Sequence, residues 1–112
     1  MANIKNCESL DQFNSIIEEE SGILFYFSHE ECNVCKVLKP KIAELLTEKF
    51  PSMSLYYCDT VKTPEIAGQN SIFAVPTILV YFEGREYIRV SRNISIESLE
   101  NQIDRYYSMV FE

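Results

Sequence analysis

The spacing of apolar positions alternates between two patterns along the chain, and this alternation predicts an α/β domain. Continuous apolar runs at 23–28 and 53–59, the second rich in tyrosine, are typical of buried strands. Between them, apolar residues recur every three or four positions, which predicts one long helix that ends before Pro51. Its predicted apolar face consists of Val34, Val37, Leu38, Ile42, Leu45, Leu46 and Phe50.

Local start and stop signals predict the other elements of the first half. A short extended piece is expected around residues 2–5. Ser9 and Gln12 have the spacing of a capping box, so a first helix should start there, and Gly22 should end it. A threonine followed by proline is typical of a helix start and predicts a short helix over 64–69.

The second half predicts a hairpin and a final helix. Strands at 78–82 and 86–90 are joined by a short turn, so they must be antiparallel. Apolar spacing then predicts a last helix over 96–110. The whole chain, 1–112, should form a single domain with a mixed central sheet of four to five strands, flanked by four helices on both faces.

Composition and charge exclude several classes of partner. The net charge of −7, from 17 acidic and 10 basic residues, argues against nucleic acid and anionic membranes as partners. No apolar run approaches the roughly 20 residues that span a bilayer. The N-terminal residues lack the apolar core of a signal peptide, so we expect a cytoplasmic protein, and we expect a monomer.

The motif Cys32-Asn33-Val34-Cys35 lies where the first buried strand passes into the long helix. Unpaired backbone amides at a helix N-terminus favour an anion, so they should lower the pKa of Cys32. Cys35 follows one turn later, close enough to form a disulfide with Cys32. In a reducing compartment, catalysis, metal binding and simple burial all remain open for such cysteines.

Two further cysteines and a histidine keep a metal site open. His29, Cys32 and Cys35 could bind zinc together with Cys58 or Cys7, although one such motif supplies only two thiolates. We expect Cys58 to be a small buried hydrophobic side chain and Cys7 to be partly exposed, rather than members of a regulatory disulfide.

A set of residues spread along nearly the whole chain has the separations of a known family: Phe27, Cys32, Cys35, Lys36, Pro40, Asp59, Pro64, the Val75-Pro76-Thr77 triplet and Gly84. On these residues the chain resembles the thioredoxin family over nearly its whole length. The resemblance implies a thioredoxin fold and dithiol–disulfide exchange with no cofactor beyond the redox-active pair. Cys32 would attack a disulfide of a client protein, and Cys35 would then resolve the mixed disulfide. The electron donor would be a reductase or a low-molecular-weight thiol.

The resemblance also implies where clients bind. Pro76 should follow a cis peptide bond and face the cysteine pair, because X-Pro bonds tolerate the cis form at low cost. The backbone of Val75 would pair with an extended client segment. Asn33 and Val34, between the cysteines, replace the family's usual Gly-Pro and would also contact clients.

Departures from the family pattern concern residues that would tune the exchange. Tyr26 stands where the family has a buried acid, and Tyr57 where a lysine commonly lies near it. Because tyrosine is a poor base at neutral pH, we predict slower deprotonation of Cys35; the alternative is that both rings simply fill core space. Glu31 replaces the usual tryptophan, and its charge opposes the thiolate of Cys32.

Two more residues could tune the cysteine pair. His29 would stabilise the thiolate or carry a proton, or else would only be solvated. Lys36 would raise the thiolate content, or else would lie on a solvated face. The leading interpretation is a cytosolic enzyme that reduces protein disulfides. Glutaredoxin-like exchange with small thiols and a client-binding module with little turnover are the alternatives.

Overall fold

The computed structural model describes residues 4–111, which form one five-stranded sheet and four helices in the predicted β-α-β-α-β-α-β-β-α order. The strands are β1 (Ile4–Asn6), β2 (Gly22–Ser28), β3 (Ser54–Asp59), β4 (Thr77–Phe82) and β5 (Arg85–Ser91), and the helices are α1 (Leu10–Glu19), α2 (Asn33–Lys49), α3 (Pro64–Gln69) and α4 (Ile96–Phe111). Part of the extended piece predicted at 2–5 lies outside the described residues. None of the described helices is long and apolar enough to cross a membrane.

The sheet is mixed, as predicted, with strand order β1-β3-β2-β4-β5. The central strand β2 runs parallel to β3, with Phe27 opposite Cys58, and antiparallel to β4, with Tyr26 opposite Ile78. The predicted hairpin of β4 and β5 is antiparallel. Its turn contains Glu83 and Gly84 with φ of 52° and 82°, a left-handed conformation that glycine adopts without strain.

Alternation along β2 separates two hydrophobic cores. Leu24 and Tyr26 point to the face covered by α2 and α4, while Phe25 and Phe27 point to the face covered by α1 and α3. Every residue of β2 is buried because both faces of the strand are covered. The helices therefore lie on both faces of the sheet, as predicted.

The start of α2 corrects the predicted apolar face. Val34 and Val37 are 65% and 61% exposed, whereas Cys35 is 1% exposed and lies in the core with Leu38 and Ile42. The buried stripe starts at Cys35 and continues three and seven residues later. Val34 and Val37 are each one residue out of that register, so they are rotated about 100° away from the sheet.

The first helix is capped nearly as predicted but ends earlier. The Ser9 hydroxyl accepts a hydrogen bond from the Gln12 amide at 3.1 Å, while the Gln12 side chain accepts one from the Glu8 amide, one residue before the cap. The prediction that Gly22 ends α1 is wrong. The helix ends at Glu19, and Gly22 begins β2. A Cβ at Gly22 would lie 2.9 Å from ring carbons of Phe111, so close packing explains the glycine.

Candidate active site

The two cysteines of the motif lie at the junction between β2 and α2. Cys32 is the N-cap residue of α2, and Cys35 lies in its first turn. The two form a disulfide with their Cα atoms 5.2 Å apart. The predicted proximity is therefore confirmed, and the pair can exist in an oxidised form within this backbone.

The helix N-terminus distinguishes the two sulfur atoms. The Cys35 amide donates a hydrogen bond to the Cys32 sulfur at 3.2 Å, and the Lys36 amide donates to the Cys32 carbonyl at the same distance. Cys32 is half-buried, whereas Cys35 is 1% exposed. A client sulfur can therefore approach Cys32, and the amide that points at Cys32 would also stabilise its thiolate.

The loop before β4 lies against the same core. The peptide bond between Val75 and Pro76 is cis, as the resemblance implied. Val75 is half-buried and packs against the core that contains Cys35. Pro76 is buried, and its carbonyl accepts a hydrogen bond from the Arg92 amide at 2.8 Å, which connects the loop to the end of β5. The structure thus brings Val75 and the cysteine pair together in one cluster.

Tyr26 lies directly beneath the cysteine pair. Its ring is 1% exposed, and its hydroxyl donates a hydrogen bond of 2.8 Å to the Cys35 carbonyl. Burial, followed by the neighbouring Tyr57, raises the pKa of Tyr26 above its ordinary value. Tyr26 is therefore a neutral donor that fixes the first turn of α2, and it does not serve as a base for Cys35.

Tyr57 has a partner that sequence reasoning missed. The Lys39 ammonium lies 4.0 Å from the centre of the Tyr57 ring, within the range of a cation–π interaction. The Tyr57 and Tyr26 rings lie 6.4 Å apart. Burial raises the pKa of Tyr57, and Asp59 raises it further. Lys39 lies on α2 and Tyr57 on β3, so this contact depends on how the helix packs on the sheet.

The remaining predicted residues surround the pair at the surface. The His29 carbonyl accepts a hydrogen bond from the Cys32 amide at 3.2 Å. The His29 side chain, half-buried, lines a cavity of about 330 Å³ together with Glu31. Lys36, Asn33 and Glu31 are exposed. Their roles in tuning or client binding therefore stay predictions.

The structure separates the cysteines that a zinc site would need. Cys7 and Cys58 are buried in the core on the opposite face of the sheet from Cys35. The expectation that Cys7 is partly exposed was wrong, since only 3% of its surface is accessible, whereas Cys58 is buried as predicted. Across residues 4–111, no group of three or more His, Cys, Asp or Glu side chains could hold a metal ion.

Comparison with known proteins agrees with this arrangement. The Thioredoxin family model matches residues 5–105. The chain is similar to the thioredoxin-like protein YdfQ of Bacillus subtilis, with 28% identity over 109 residues, covering 97% of this chain and 96% of that protein. It is also similar to thioredoxin-1 of Saccharomyces cerevisiae, with 28% identity over 83 residues, covering 74% of this chain and 80% of that one.

The solved structures show the same fold. The crystal structure of oxidised mitochondrial thioredoxin 3 from Saccharomyces cerevisiae superposes with a TM-score of 0.82 and 23% identity, covering 91% of this chain and 94% of that one. The family match over 5–105 and the disulfide between Cys32 and Cys35 identify the kind of protein. The chain belongs to the thioredoxin family and is a thiol–disulfide oxidoreductase.

Proposed function

We propose that this protein reduces disulfide bonds of client proteins, with Cys32 as the attacking sulfur and Cys35 as the resolving sulfur. The observation that carries this assignment is the unequal burial of the pair. Cys32 is half-buried at the tip of α2 and accepts a hydrogen bond from the Cys35 amide, while Cys35 is 1% exposed. Only Cys32 can meet an external disulfide without a rearrangement of the helix.

The exchange proceeds in two balanced steps. The Cys32 thiolate attacks one client sulfur, so a bond forms between Cys32 and the client, and the second client sulfur leaves as a thiolate. The Cys35 sulfur, after losing its proton, then attacks the Cys32 sulfur. This step forms the Cys32–Cys35 disulfide and releases the first client sulfur as a thiolate. Two electrons pass from the dithiol to the client disulfide.

The proton of Cys35 passes to water or to a carboxylate elsewhere in the protein. Tyr26 supplies a hydrogen bond to the Cys35 carbonyl and retains its own proton because its pKa is raised. The family's buried acid is absent from position 26, so deprotonation of Cys35 is the slow part of the second step. Tyr26 positions Cys35 in this proposal and does not accept its proton.

Clients bind beside Cys32. Val34 is 65% exposed and lines an open groove of about 540 Å³ with Val37, Leu38 and Ile94. We assign Asn33 and Val34 to client contact, because both are exposed. We also assign Val75 and Pro76 to client binding, because Val75 packs against the same core as Cys32; the backbone of Val75 would pair with an extended client segment.

The cellular setting is part of the proposal. Thioredoxins act on protein disulfides and are reduced by thioredoxin reductase, so we propose a reductase of this class as electron donor, with a low-molecular-weight thiol as the alternative. The acidic surface supports protein clients rather than nucleic acid or anionic lipid. We propose that the protein acts as a monomer in the cytoplasm.

Insulin reduction with dithiothreitol tests the proposal directly. The wild-type protein should accelerate precipitation of the insulin B chain, and Cys32→Ser should reduce the rate to that of dithiothreitol alone. Unchanged activity in Cys32→Ser would refute the assignment of the attacking sulfur. If the wild-type protein binds insulin without reducing it, the client-binding alternative replaces the enzyme. Faster turnover of a glutathione mixed disulfide than of insulin would favour glutaredoxin-like exchange.

A further inference from the structure

The second pair of cysteines, distant in sequence, is joined by the sheet. The parallel register of β1 and β3 pairs Asn6 with Tyr57. The Cys7 amide donates a hydrogen bond of 2.9 Å to the Tyr57 carbonyl, which continues the same ladder by one residue. In a parallel ladder this bond places Cys7 directly opposite Cys58.

Both thiols point to the same side of the sheet. Cys7 and Cys58 belong to the core under α1 and α3, where they are 3% and 1% exposed. The Cys7 thiol donates a hydrogen bond of 3.7 Å to the Ser9 carbonyl, and the pKa of each of the two thiols is shifted by the other. Neighbouring strands lie about 4.8 Å apart, and disulfide-bonded cysteines usually have Cα atoms roughly 4.4–6.8 Å apart. The register therefore allows a disulfide with small movements of the backbone.

The two sulfurs have different chemical character. Interaction with Cys58 lowers the pKa of Cys7 despite its burial, and the same interaction raises the pKa of Cys58. Cys7 also lines a cavity of about 270 Å³ at the sheet edge, shared with Glu8, Asp59 and Lys62. Hydrogen peroxide is a small polar molecule, and a cavity of this size can admit it beside Cys7. Of the two thiols, Cys7 is the one that lines this cavity, so peroxide meets Cys7 first, and Cys7 is the nucleophile of the pair.

We propose that Cys7 and Cys58 form a second redox site, which hydrogen peroxide oxidises to a disulfide that ties β1 to β3. The Cys7 thiolate attacks one peroxide oxygen, the O–O bond breaks, and Cys7 becomes a sulfenic acid as hydroxide leaves. The Cys58 sulfur then attacks the Cys7 sulfur, forming the S–S bond and breaking the S–O bond. The two thiols lose two electrons and two protons together, and the peroxide becomes two molecules of water.

This site is separate from the site of disulfide exchange at Cys32 and Cys35, here called the exchange pair. Cys35 lies in the core on the opposite face of the sheet from Cys7 and Cys58, and Cys32 packs against that same core. The exchange pair also oxidises locally, within one turn of helix, whereas the second pair connects an edge strand to its neighbour. Oxidation of Cys7 and Cys58 can therefore be measured while Cys32 and Cys35 remain joined.

The full wild-type chain with its Cys32–Cys35 disulfide already formed allows a test without mutation, because only Cys7 and Cys58 then carry free thiols. The protein is exposed to hydrogen peroxide, quenched, denatured, alkylated and mapped by mass spectrometry. Both thiols should disappear together, with a peptide that links Cys7 to Cys58 in the monomer and that dithiothreitol separates. Retention of both thiols, a sulfinic acid at Cys7 beside a free Cys58, or links only between chains would overturn the proposal.

Matched variants assign the order of attack. In Cys58→Ala, Cys7 should stop at a sulfenic acid that dimedone traps. In Cys7→Ala, Cys58 should keep its thiol under the same peroxide exposure, since its partner supplies the reactive sulfur. If Cys58 is oxidised in Cys7→Ala as fast as in the wild-type protein, Cys7 is not the nucleophile. The wild-type peptide map decides the existence of the disulfide even if a variant fails to fold.

Discussion

The two cysteine pairs occupy opposite faces of one sheet and come together by different means. Cys32 and Cys35 are separated by two residues in the motif, and one helical turn brings them together at the tip of α2. Cys7 and Cys58 meet only because β1 and β3 adopt one particular parallel register. A local pair can sit at an exposed turn and exchange with clients, whereas a cross-strand pair is buried and links two elements.

The largest expected difference follows from removing each pair completely. The double variant Cys32→Ser with Cys35→Ser should lose all insulin reduction above that of dithiothreitol, because no attacking sulfur remains at the helix tip. The matched double variant Cys7→Ala with Cys58→Ala should keep its insulin-reduction rate within about twofold, since local packing changes there do not reach the helix tip. If both double variants lose insulin reduction to the same extent, the two cysteine pairs do not have separate functions.

The next largest effect concerns stability. A disulfide between Cys7 and Cys58 would close a long loop of chain and so restrict the unfolded state. The free energy of unfolding should rise by about 4 kcal/mol, as the chain-entropy relation gives for a loop of this length. Urea unfolding of the peroxide-treated protein, with the Cys7→Ala variant treated alongside, measures the rise. A fall in stability on oxidation would show that the sheet must distort to form the bond.

Removing the Tyr26 hydroxyl beneath the exchange pair should change the free energy of unfolding by a smaller amount. Tyr26→Phe removes the hydrogen bond from the Tyr26 hydroxyl to the Cys35 carbonyl, so the free energy of unfolding should fall by about 0.5–1.5 kcal/mol. Phe25→Leu, on the opposite face of β2, provides a control for changes in aromatic packing. In Tyr26→Phe, resolution of the mixed disulfide by Cys35 should also slow, while attack by Cys32 stays the same. If attack and resolution in Tyr26→Phe both proceed at the wild-type rates, Tyr26 is not a positioning residue.

Restoring a carboxylate at position 26 tests the slow second step. Tyr26→Asp should speed release of client from the mixed disulfide by about tenfold, because a positioned base takes the Cys35 proton. Asparagine has nearly the volume of aspartate but no basic group, so Tyr26→Asn should show no gain in the rate of client release. Stopped-flow measurement of client release from each variant makes the comparison. If Tyr26→Asp and Tyr26→Asn release client equally fast, the tyrosine only fills space.

The smallest expected effect is the pH dependence of stability. The pKa of Tyr26 is raised in the folded protein, so the folded state holds that proton more tightly than the unfolded state. The resulting stability is fully present below the ordinary tyrosine value of about 10 and is lost as pH rises above it. Urea midpoints measured across this range should fall less steeply in Tyr26→Phe. If the urea midpoint falls with pH as steeply in Tyr26→Phe as in the wild-type protein, the assigned environment of Tyr26 is contradicted.

The sequence predicted what depends on local patterns. Apolar runs located β2 and β3, the helical repeat located α2, and the motif at Cys32 located the exchange pair. The order and type of all nine predicted elements are confirmed for residues 4–111. These features were accessible because strand burial and helix initiation depend on residues close together in the chain.

Features that depend on how elements dock were missed. Val34 and Val37 have the spacing of an apolar face, but the position of α2 on the sheet turns them outward. The burial of Cys7 and its position opposite Cys58 require the register of β1 on β3, which no short segment encodes. The contact of Lys39 with Tyr57 likewise requires the distance between α2 and β3.

The central claim, that Cys32 attacks and Cys35 resolves, is tested most directly by trapping the intermediate. Reduced Cys35→Ser is mixed with a disulfide-bonded peptide, and the products are mapped by mass spectrometry. A stable mixed disulfide should form at Cys32, while Cys32→Ser under the same conditions should form none at Cys35, which is 1% exposed. A mixed disulfide at Cys35 in Cys32→Ser, formed as fast as the one at Cys32 in Cys35→Ser, would contradict the assigned order.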